Sequence, residues 1–234
     1  MPAPIPVDEA LRLKALHAYA ILDSEPDAAF DDITRIAAAI CGTSIALVSF
    51  VDEDRQWFLS RHGTELRQTD RCMAFCAHAI FEESLFEVPD THLDPRFANN
   101  PLVVGDPRIR FYAGALLVSP DGQNLGTLCV IDREPRHLCE EQRTSLLALA
   151  RQVSRLLDGI VVRRNLAAAL TALDAFDRSL PQCVVCDGLT FLDRDMSLRH
   201  FVESHTPARF HPTVCARCIP TYDIEPSVSV DQFT

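Results

Sequence analysis

The stretch IRFYAGALLV-SPDG-QN-LGTLCVID, residues 109–132, decides the fold of this chain. Two apolar segments of about eight residues flank a turn that contains Pro120, Asp121 and Gly122. These residues favour a chain reversal because proline fixes φ, aspartate can cap its own backbone and glycine tolerates positive φ. The pattern is typical of a β-hairpin with at least one buried face. The apolar faces of two such strands must be buried against other elements, so we expect the surrounding chain to form one domain around them.

Composition and charge restrict the class of protein. The 234 residues suffice for one domain of about 150 residues and a smaller one. The hydrophobic content of 47% is ample for a core, and no apolar run is long enough to cross a bilayer. Residues 1–7 are proline-rich and lack the features of a signal peptide, which predicts a disordered N-terminus and a cytoplasmic protein. A net charge of −11 argues against nucleic acid or a membrane as partner.

Hydrophobic spacing predicts the remaining elements of the first domain. Four helices are predicted, at residues 8–22, 27–41, 71–81 and 138–176. Three strands are predicted before the hairpin, at residues 45–51, 56–60 and 86–88. A long irregular passage, 89–108, precedes the hairpin, and connections of that length are often functional. Antiparallel hairpins with helices collected around one sheet indicate an α+β fold.

Six ordered motifs resemble the GAF domain, in particular the bacterial subgroup found ahead of sensor kinases and cyclic-dinucleotide enzymes. The motifs are LDSEP with FD within 22–31, ALVSFVDEDRQWFLSRHG at 46–63, FCAHAI at 75–80, DPRFANNPLV at 94–103, RFYAG at 110–114 and GTLCVID at 126–132. The resemblance covers residues 8–160 and implies a six-stranded antiparallel sheet with helices on one side. It also implies a pocket on the other side that holds a small molecule in some members, without indicating which molecule.

Aromatic and charged residues within these motifs are candidates for lining such a pocket. Aromatic rings would suit a flat ligand, and charged side chains would fix its polar groups. The candidates are Trp57, Phe58, Cys76, His78, Asp94, Arg96, Phe97, Arg110, Phe111 and Tyr112. The alternative for each aromatic residue is packing in the core. The alternative for the segment 94–96 is a loop held by local salt bridges and caps.

Two cysteines in the predicted helix 71–81 invite a separate interpretation. Cys72 and Cys76 are four residues apart and would share one helix face. The pair is compatible with a thiol switch, with half of a metal site, or with a thiol enzyme similar to the free methionine sulfoxide reductases. The plainer interpretation is that Cys76 is a small buried residue. The segment 95–100 lacks the cysteine on which bilin-binding GAF domains anchor their pigment, so light sensing is not expected.

Four cysteines near the C-terminus form two CxxC pairs: Cys183 with Cys186, and Cys215 with Cys218. Two intervening residues let both sulfurs of a pair bind one tetrahedral ion, and four thiolates close its coordination shell. The spacing therefore predicts a structural Zn²⁺ in a module over residues 180–222, in preference to a redox dithiol. The segment also resembles a small module appended to bacterial response-regulator and sensor proteins.

No kinase, diguanylate-cyclase or nucleotide-loop signature follows the first domain, so we expect no enzymatic activity. The favoured hypothesis is a cytoplasmic signalling protein whose GAF domain, 8–160, senses a small molecule or a redox state and signals by protein contact. A linker helix (161–179), the zinc module (180–222) and a flexible tail (223–234) would follow. We expect a homodimer formed through the helix 138–176. The alternatives are the thiol enzyme, using Cys72 and Cys76, and a ligand-free dimerisation scaffold.

Overall fold

The computed structural model describes residues 3–178, 180–183 and 210–213. The chain divides into two compact units, residues 1–161 and 162–234. The expected zinc module and tail lie outside the described residues, apart from two short strands. No helix in the described part of the chain is long and apolar enough to cross a membrane.

The first unit is built on a six-stranded sheet. Its strands are β1 (Ile45–Val51), β2 (Arg55–His62), β3 (Gln68–Asp70), β4 (Leu85–Val88), β5 (Phe111–Val118) and β6 (Asn124–Asp132). The strand order is β3-β2-β1-β6-β5-β4, and every neighbouring pair is antiparallel. The predicted α+β class and the predicted hairpin are confirmed, with Phe111 opposite Asp132 and Leu117 opposite Gly126.

Helices accompany the sheet on both faces. They are α1 (Glu9–Ala18), α2 (Ala28–Cys41), a 3₁₀ helix (Arg71–Met73), α3 (Cys76–Ala79), α4 (Pro101–Val104) and α5 (Glu140–Arg178). In the second unit, β7 (Leu180–Cys183) pairs in parallel with β8 (Phe210–Thr213).

One face of the sheet, which we call the helical face, packs against α1, α2 and α5. The apolar stripe of α2 buries Phe30, Ile33 and Ala37 in this core. The helix begins where the Asp27 carboxylate accepts a hydrogen bond from the Ala29 backbone N–H at 2.9 Å, and it ends at a left-handed Gly42. The predicted end of this helix is therefore confirmed.

The opposite face, which we call the loop face, is covered by α3, α4 and the connection between β4 and β5. Its core contains a stack of Phe75 on Phe97, with ring centroids 4.3 Å apart, and both Phe86 and Tyr112 join this cluster. Side chains alternate between the two faces along a strand. Phe111 consequently lies in the helical-face core and Tyr112 in the loop-face core.

Two helices of the structure differ from the helices that hydrophobic spacing predicts. The first helix ends at Ala18 and not near residue 22, because Ala20 has a φ of +49°, outside the right-handed helical region. The expected helix over 71–81 is wrong. Ala74 has extended backbone angles and divides this segment into the 3₁₀ helix and α3.

The two central strands approach closely at Gly126 of β6. A Cβ atom at this position would lie 2.0 Å from the backbone carbonyl oxygen of Ser49 in β1. No side chain fits there unless the two strands move apart. Gly122 in the hairpin turn has a φ of +79°, but a Cβ atom there would meet nothing within 4 Å. Only its backbone conformation therefore favours glycine.

We predict that Gly126→Ala destabilises the first unit by about 3 kcal/mol or more. The added methyl group would overlap the backbone of Ser49, and the paired strands would have to move apart to accommodate it. The matched change Gly122→Ala should cost only about 1–2 kcal/mol, the cost of a left-handed alanine. Urea unfolding followed by circular dichroism measures both. Equal losses in the two variants would contradict the close approach.

An ionic cluster fixes α1 to the segment that follows β3. The Glu9 carboxylate accepts hydrogen bonds from Arg12 at 2.7 and 2.8 Å and from Arg71 at 2.5 Å. Arg71 also donates to the backbone carbonyl of Asp52 at 3.0 Å. Burial raises the pKa of Glu9, but the two guanidinium groups outweigh this effect and lower the pKa from 4.5 to about 2.

We predict that Glu9→Gln costs about 1–3 kcal/mol at neutral pH, because Arg12 is then left buried without its counter-charge. Since the pKa of Glu9 is lowered in the folded state, its stabilisation is complete above pH 4.5 and is lost as the pH falls towards 2. The difference between wild type and Glu9→Gln in urea unfolding should therefore shrink in that range. Asp32→Asn, which breaks an exposed pair with Arg35, serves as control and should cost less than about 0.5 kcal/mol.

Candidate functional site

The loop face carries a group of polar side chains in the middle of an apolar core. We call Ser49, Cys76, Tyr112, Thr127 and Cys129 the thiol cluster, and every member is 0% exposed. Four members come from the central strands β1, β5 and β6, and Cys76 is the first residue of α3. The alternation of side chains along the three strands directs these four residues to the same face.

Cys76 lies at the centre of the thiol cluster. Its Sγ is 3.0 Å from the Ser49 Oγ and 3.0 Å from the Thr127 Oγ1, and the Tyr112 hydroxyl donates to it at 3.2 Å. The Tyr112 hydroxyl also lies 3.3 Å from the Thr127 Oγ1. Gly114 makes this possible, because a Cβ atom there would be 2.3 Å from the tyrosine oxygen. Ser49, Cys76, Tyr112 and Thr127 therefore each have a hydrogen-bond partner within the cluster.

The electrostatics of the cluster distinguish its two thiols. Burial raises the pKa of the Cys76 thiol, but hydrogen bonds from Cys129, Ser49, Thr127 and Tyr112 lower it to about 7. Burial raises the pKa of Cys129 and of Tyr112 well above their usual values, and proximity to Cys76 adds to both shifts. A negative charge in this cluster is therefore best accommodated on the Cys76 sulfur. Both thiols are free.

A small cavity, which we call the loop-face cavity, lies beside the cluster. It has a volume of about 40 Å³ and shares Tyr112 with the thiol cluster. Its other lining residues are Ile45, Leu47, Gln56, Phe58, Thr64, Leu66, Thr69, Phe75, Leu102, Pro107, Ile109 and Ile131. The lining is mostly apolar and contains no charged side chain. A molecule in this cavity would contact the ring whose hydroxyl binds Cys76.

A wider groove opens at the surface between the loop that follows β4 and the segment that follows β6. It has a volume of about 910 Å³ and includes Asp90, Asp94, Arg96, Arg136 and His137 in its wall. The charged groups of this region are paired. Arg96 binds Asp94 at 2.6 Å, Arg136 binds Asp132 at 2.6 Å and Arg110 binds Asp90 at 2.8 Å. These pairs lower the pKa of Asp90 and Asp94, and they stabilise the loop.

The residues predicted to line a pocket fall into three places. Phe58 and Tyr112 line the loop-face cavity, and Cys76 and Phe97 are buried in the same core. The ring of His78 packs edge-on against Phe97 at 4.8 Å. Asp94 and Arg96 line the groove, with the Arg96 guanidinium 4.8 Å from the Phe86 ring centroid, and Arg110 pairs with Asp90 beside it. Trp57 and Phe111 pack in the helical-face core, on the other side of the sheet.

The expected thiol pair is placed differently from the sequence analysis. Cys72 is exposed in the 3₁₀ helix whereas Cys76 is buried in α3, so the expectation that they share a helix face is wrong. Among the described residues, no group of three or more histidine, cysteine, aspartate or glutamate side chains could hold a metal ion. Of the four expected zinc ligands, only the backbone of Cys183 lies within the described residues.

Several residues of the loop face were missed from the sequence. Ser49, Thr127 and Cys129 interrupt otherwise apolar strands at alternate positions, and hydroxyl or thiol groups at such positions indicate a buried polar cluster on one face. Gln56 and Thr69 carry no comparable signal, because β2 is partly polar and β3 has only three residues. Their place in the cavity wall follows only from the sheet register.

Comparison with known proteins places this architecture in context. The family model for the GAF domain matches residues 25–157. A cyclic di-GMP phosphodiesterase of Pseudomonas aeruginosa is 47% identical over 144 residues, which are 62% of this chain and 24% of that protein. The chain thus spans about a quarter of the length of this relative.

Solved structures provide a second comparison. The blue-light absorbing GAF domain of PixJ from Thermosynechococcus elongatus is 17% identical and covers 68% of this chain and 96% of its own, with a TM-score of 0.49. The GAF domain of an Acinetobacter phosphoenolpyruvate-protein phosphotransferase is 15% identical with the same coverages and a TM-score of 0.48.

The relative from Pseudomonas corrects one expectation of the sequence analysis. We expected no enzymatic activity, because no catalytic signature follows the first domain. This expectation is wrong, since the relative that shares 47% identity is named a phosphodiesterase, and a domain of this sequence type is therefore part of an enzyme. The family assignment itself rests on a match over more than half of the chain. The chain belongs to the GAF domain family.

Proposed function

We propose that this GAF domain is the sensory part of a signalling system that controls the hydrolysis of cyclic di-GMP. The domain receives a small-molecule or redox signal at the loop face and transmits it through α5. The observation that carries the proposal is the 47% identity over 144 residues with a cyclic di-GMP phosphodiesterase. Free, buried thiols suit a reducing compartment such as the cytoplasm, where the protein would act.

The geometry supports a route from the loop face to α5. The thiol cluster lies on the central strands β1, β5 and β6, and the reverse sides of these strands pack against the helices. Leu146, Val153 and Leu157 fix the first half of α5 in the helical-face core. The Tyr19 hydroxyl donates to Asp158 of α5 at 2.7 Å. A change in strand position at the cluster would therefore alter the contacts of α5, which lies on the other side of the same sheet.

The proposal predicts that this domain can regulate the related enzyme. In a chimera, the GAF region of this chain replaces the 144 matching residues of the Pseudomonas phosphodiesterase, and cyclic di-GMP hydrolysis is measured. Tyr112→Phe removes only the hydroxyl that joins the loop-face cavity to Cys76, and it should change the hydrolysis rate at least about twofold.

The control for this chimera is Asp32→Asn, at an exposed pair on α2, which should leave the rate unchanged. A chimera whose activity is indifferent to Tyr112→Phe, to oxidation of its thiols and to deletion of the whole GAF region would show that the domain has no regulatory role. Thermal unfolding of each variant separates a regulatory effect from a failure to fold.

We also propose that residues 180–222 form the four-cysteine zinc module expected from the sequence. The pairing of β7 with β8 supports this proposal, because its register sets Cys183 opposite Thr213. Cys215 follows Thr213 by two residues in the sequence. Four thiolates from two CxxC motifs suit a closed structural Zn²⁺ site.

A homodimer through α5 is the partner that we propose for the chain itself. Val162, Leu166 and Leu170 follow one another at intervals of four residues, and each is more than half exposed, at 64%, 58% and 54%. Such an apolar stripe on a long helix suits pairing with a second copy of the same helix. Arg163 and Arg164 lie beside the stripe and interrupt a continuous seam.

Native mass spectrometry of the full chain tests both proposals together. We expect a dimer that carries one zinc ion per chain. The variant Cys215→Ser should lose the metal and the structure of the module, while the GAF domain keeps its cooperative thermal transition. The variant Leu166→Asp should give a monomer that still binds zinc. A metal-free wild-type chain would contradict the zinc site, and a dimer that survives Leu166→Asp would contradict the helical interface.

A further inference from the structure

Two cysteines on the helical side of the sheet lie outside the site described above. Cys41 is the last residue of α2 and is 3% exposed in the helical-face core. Cys139 directly precedes α5 and is exposed. Both thiols are free. They are far apart in the sequence, so only the fold can bring them together.

One contact joins the end of α2 to the start of α5. The Gln142 side-chain amide donates to the backbone carbonyl of Ile40 at 3.0 Å. The oxygen of the same amide accepts from the backbone N–H of Cys139, also at 3.0 Å. A single side chain thus binds the residue before Cys41 and the backbone of Cys139. Because both hydrogen bonds end on one amide group, the two backbones lie close together.

A second contact lies on the other side of the two cysteines. A Cβ atom at Gly42, the residue after Cys41, would be 3.8 Å from the Arg136 guanidinium. Leu138, the residue before Cys139, is buried in the same core as Cys41. The contacts advance along α2 from residue 40 to 42, while their partners go back from residue 142 to 136. The two segments therefore cross in opposite directions, with the two cysteines in the middle of the crossing.

The two thiols differ in reactivity. Burial raises the pKa of the Cys41 thiol to about 11, and the charge of the nearby Cys139 sulfur adds to this shift. Cys41 is consequently a neutral thiol near pH 7 and is shielded from solvent. The Cys139 thiol donates to the exposed carboxylate of Glu141 and lowers the pKa of that group. An oxidant in solution therefore reaches Cys139 first.

We propose that Cys41 and Cys139 form a reversible disulfide when the protein reacts with a hydroperoxide, and that this bond fixes the start of α5 to the end of α2. The regulatory consequence rests on the proposed function, in which α5 transmits the signal. The site itself is separate from the thiol cluster and lies on the other side of the sheet. In a reducing compartment such a bond is transient, as redox-sensing disulfides are.

The oxidation takes place in two steps. The Cys139 sulfur attacks one oxygen of hydrogen peroxide, the O–O bond breaks, and a sulfenic acid forms with release of one water. The Cys41 sulfur then attacks the sulfenic sulfur. The S–O bond breaks, and the hydroxide leaves as a second water with the Cys41 proton. Two thiols have then lost two electrons to the peroxide. A dithiol reductant reverses the reaction by exchange.

Peptide mapping of the full chain detects the bond directly. The protein is treated with hydrogen peroxide and denatured, its remaining thiols are blocked with N-ethylmaleimide, and the unreduced tryptic digest is analysed by mass spectrometry. Trypsin releases residues 36–55 and 137–143, which contain Cys41 and Cys139, respectively, as their only cysteines. We expect these two peptides joined with the loss of two hydrogen atoms, and separate again after dithiothreitol.

Thermal unfolding provides a second readout. The bond closes a loop of about a hundred residues, so peroxide should raise the Tm of the GAF domain by about 5–10 °C. The variant Cys139→Ser should lose both the joined peptide and this increase. It changes an exposed side chain and should fold like the wild type. The matched control Cys72→Ser, at another exposed cysteine, should keep both.

Two results would overturn the proposal. One is the recovery of Cys41 with the blocking group while Cys139 is a sulfinic or sulfonic acid or is joined to another cysteine. The other is an equal increase in Tm in the wild type and in Cys139→Ser. If the joined peptide is absent while the phosphodiesterase chimera responds to Tyr112→Phe, the redox site is wrong and the proposed function stands.

The chimera also tests the regulatory consequence. Peroxide should change its rate of cyclic di-GMP hydrolysis at least about twofold, and Cys139→Ser should abolish this change. A joined peptide in a chimera whose rate peroxide leaves unchanged would support the bond and contradict the signal route through α5.

Discussion

The close pairing of β1 with β6 is the constraint on which the rest of the domain depends. Ser49 and Thr127 face each other across this pair, and the missing side chain of Gly126 lets the two backbones approach. The pairing sets which residues of both strands face the helices and which face the loops. A shift by one residue would exchange the two sets, burying hydroxyls against α2 and exposing apolar side chains to the loop face. The register of two strands thus positions the entire thiol cluster.

Burying any one side chain of the thiol cluster without a partner would be destabilising, but as a group these side chains supply hydrogen bonds to one another. Five polar side chains without access to water would destabilise an apolar core if any one lacked a partner. Here Cys76 receives hydrogen bonds from several directions, and its hydroxyl neighbours also contact one another. Removal of a single member therefore affects all of them. This interdependence suits a sensory site, in which a local chemical change must alter more than one strand.

Much of the fold could be predicted from the sequence because it depends on local patterns. Continuous apolar strands, the Pro120–Gly122 turn and the capped helix ending before Gly42 each carry their signal within a few residues. The helix predicted over 71–81 failed because Ala74 is extended, and alanine gives no local signal for that conformation. The site was less predictable than the fold because it depends on register between distant strands. Trp57 and Phe58 are neighbours in sequence, yet one packs against the helices and the other lines the cavity.

Aromatic character alone cannot distinguish these two residues, since the pairing of β2 with its neighbours decides which face of the sheet each one occupies. The position of Gln56 opposite Thr69 is similarly invisible until β2 and β3 are paired.

Tyr112 belongs to the loop-face cavity and to the thiol cluster at once, and this has a thermodynamic consequence. If a molecule in the cavity favours one position of the Tyr112 hydroxyl, it favours one protonation state of Cys76. By reciprocity, a change in the state of the Cys76 sulfur must alter the affinity of the cavity by the same factor. The state of a single domain would then depend jointly on two inputs, the small molecule in the cavity and the local proton or redox balance at Cys76.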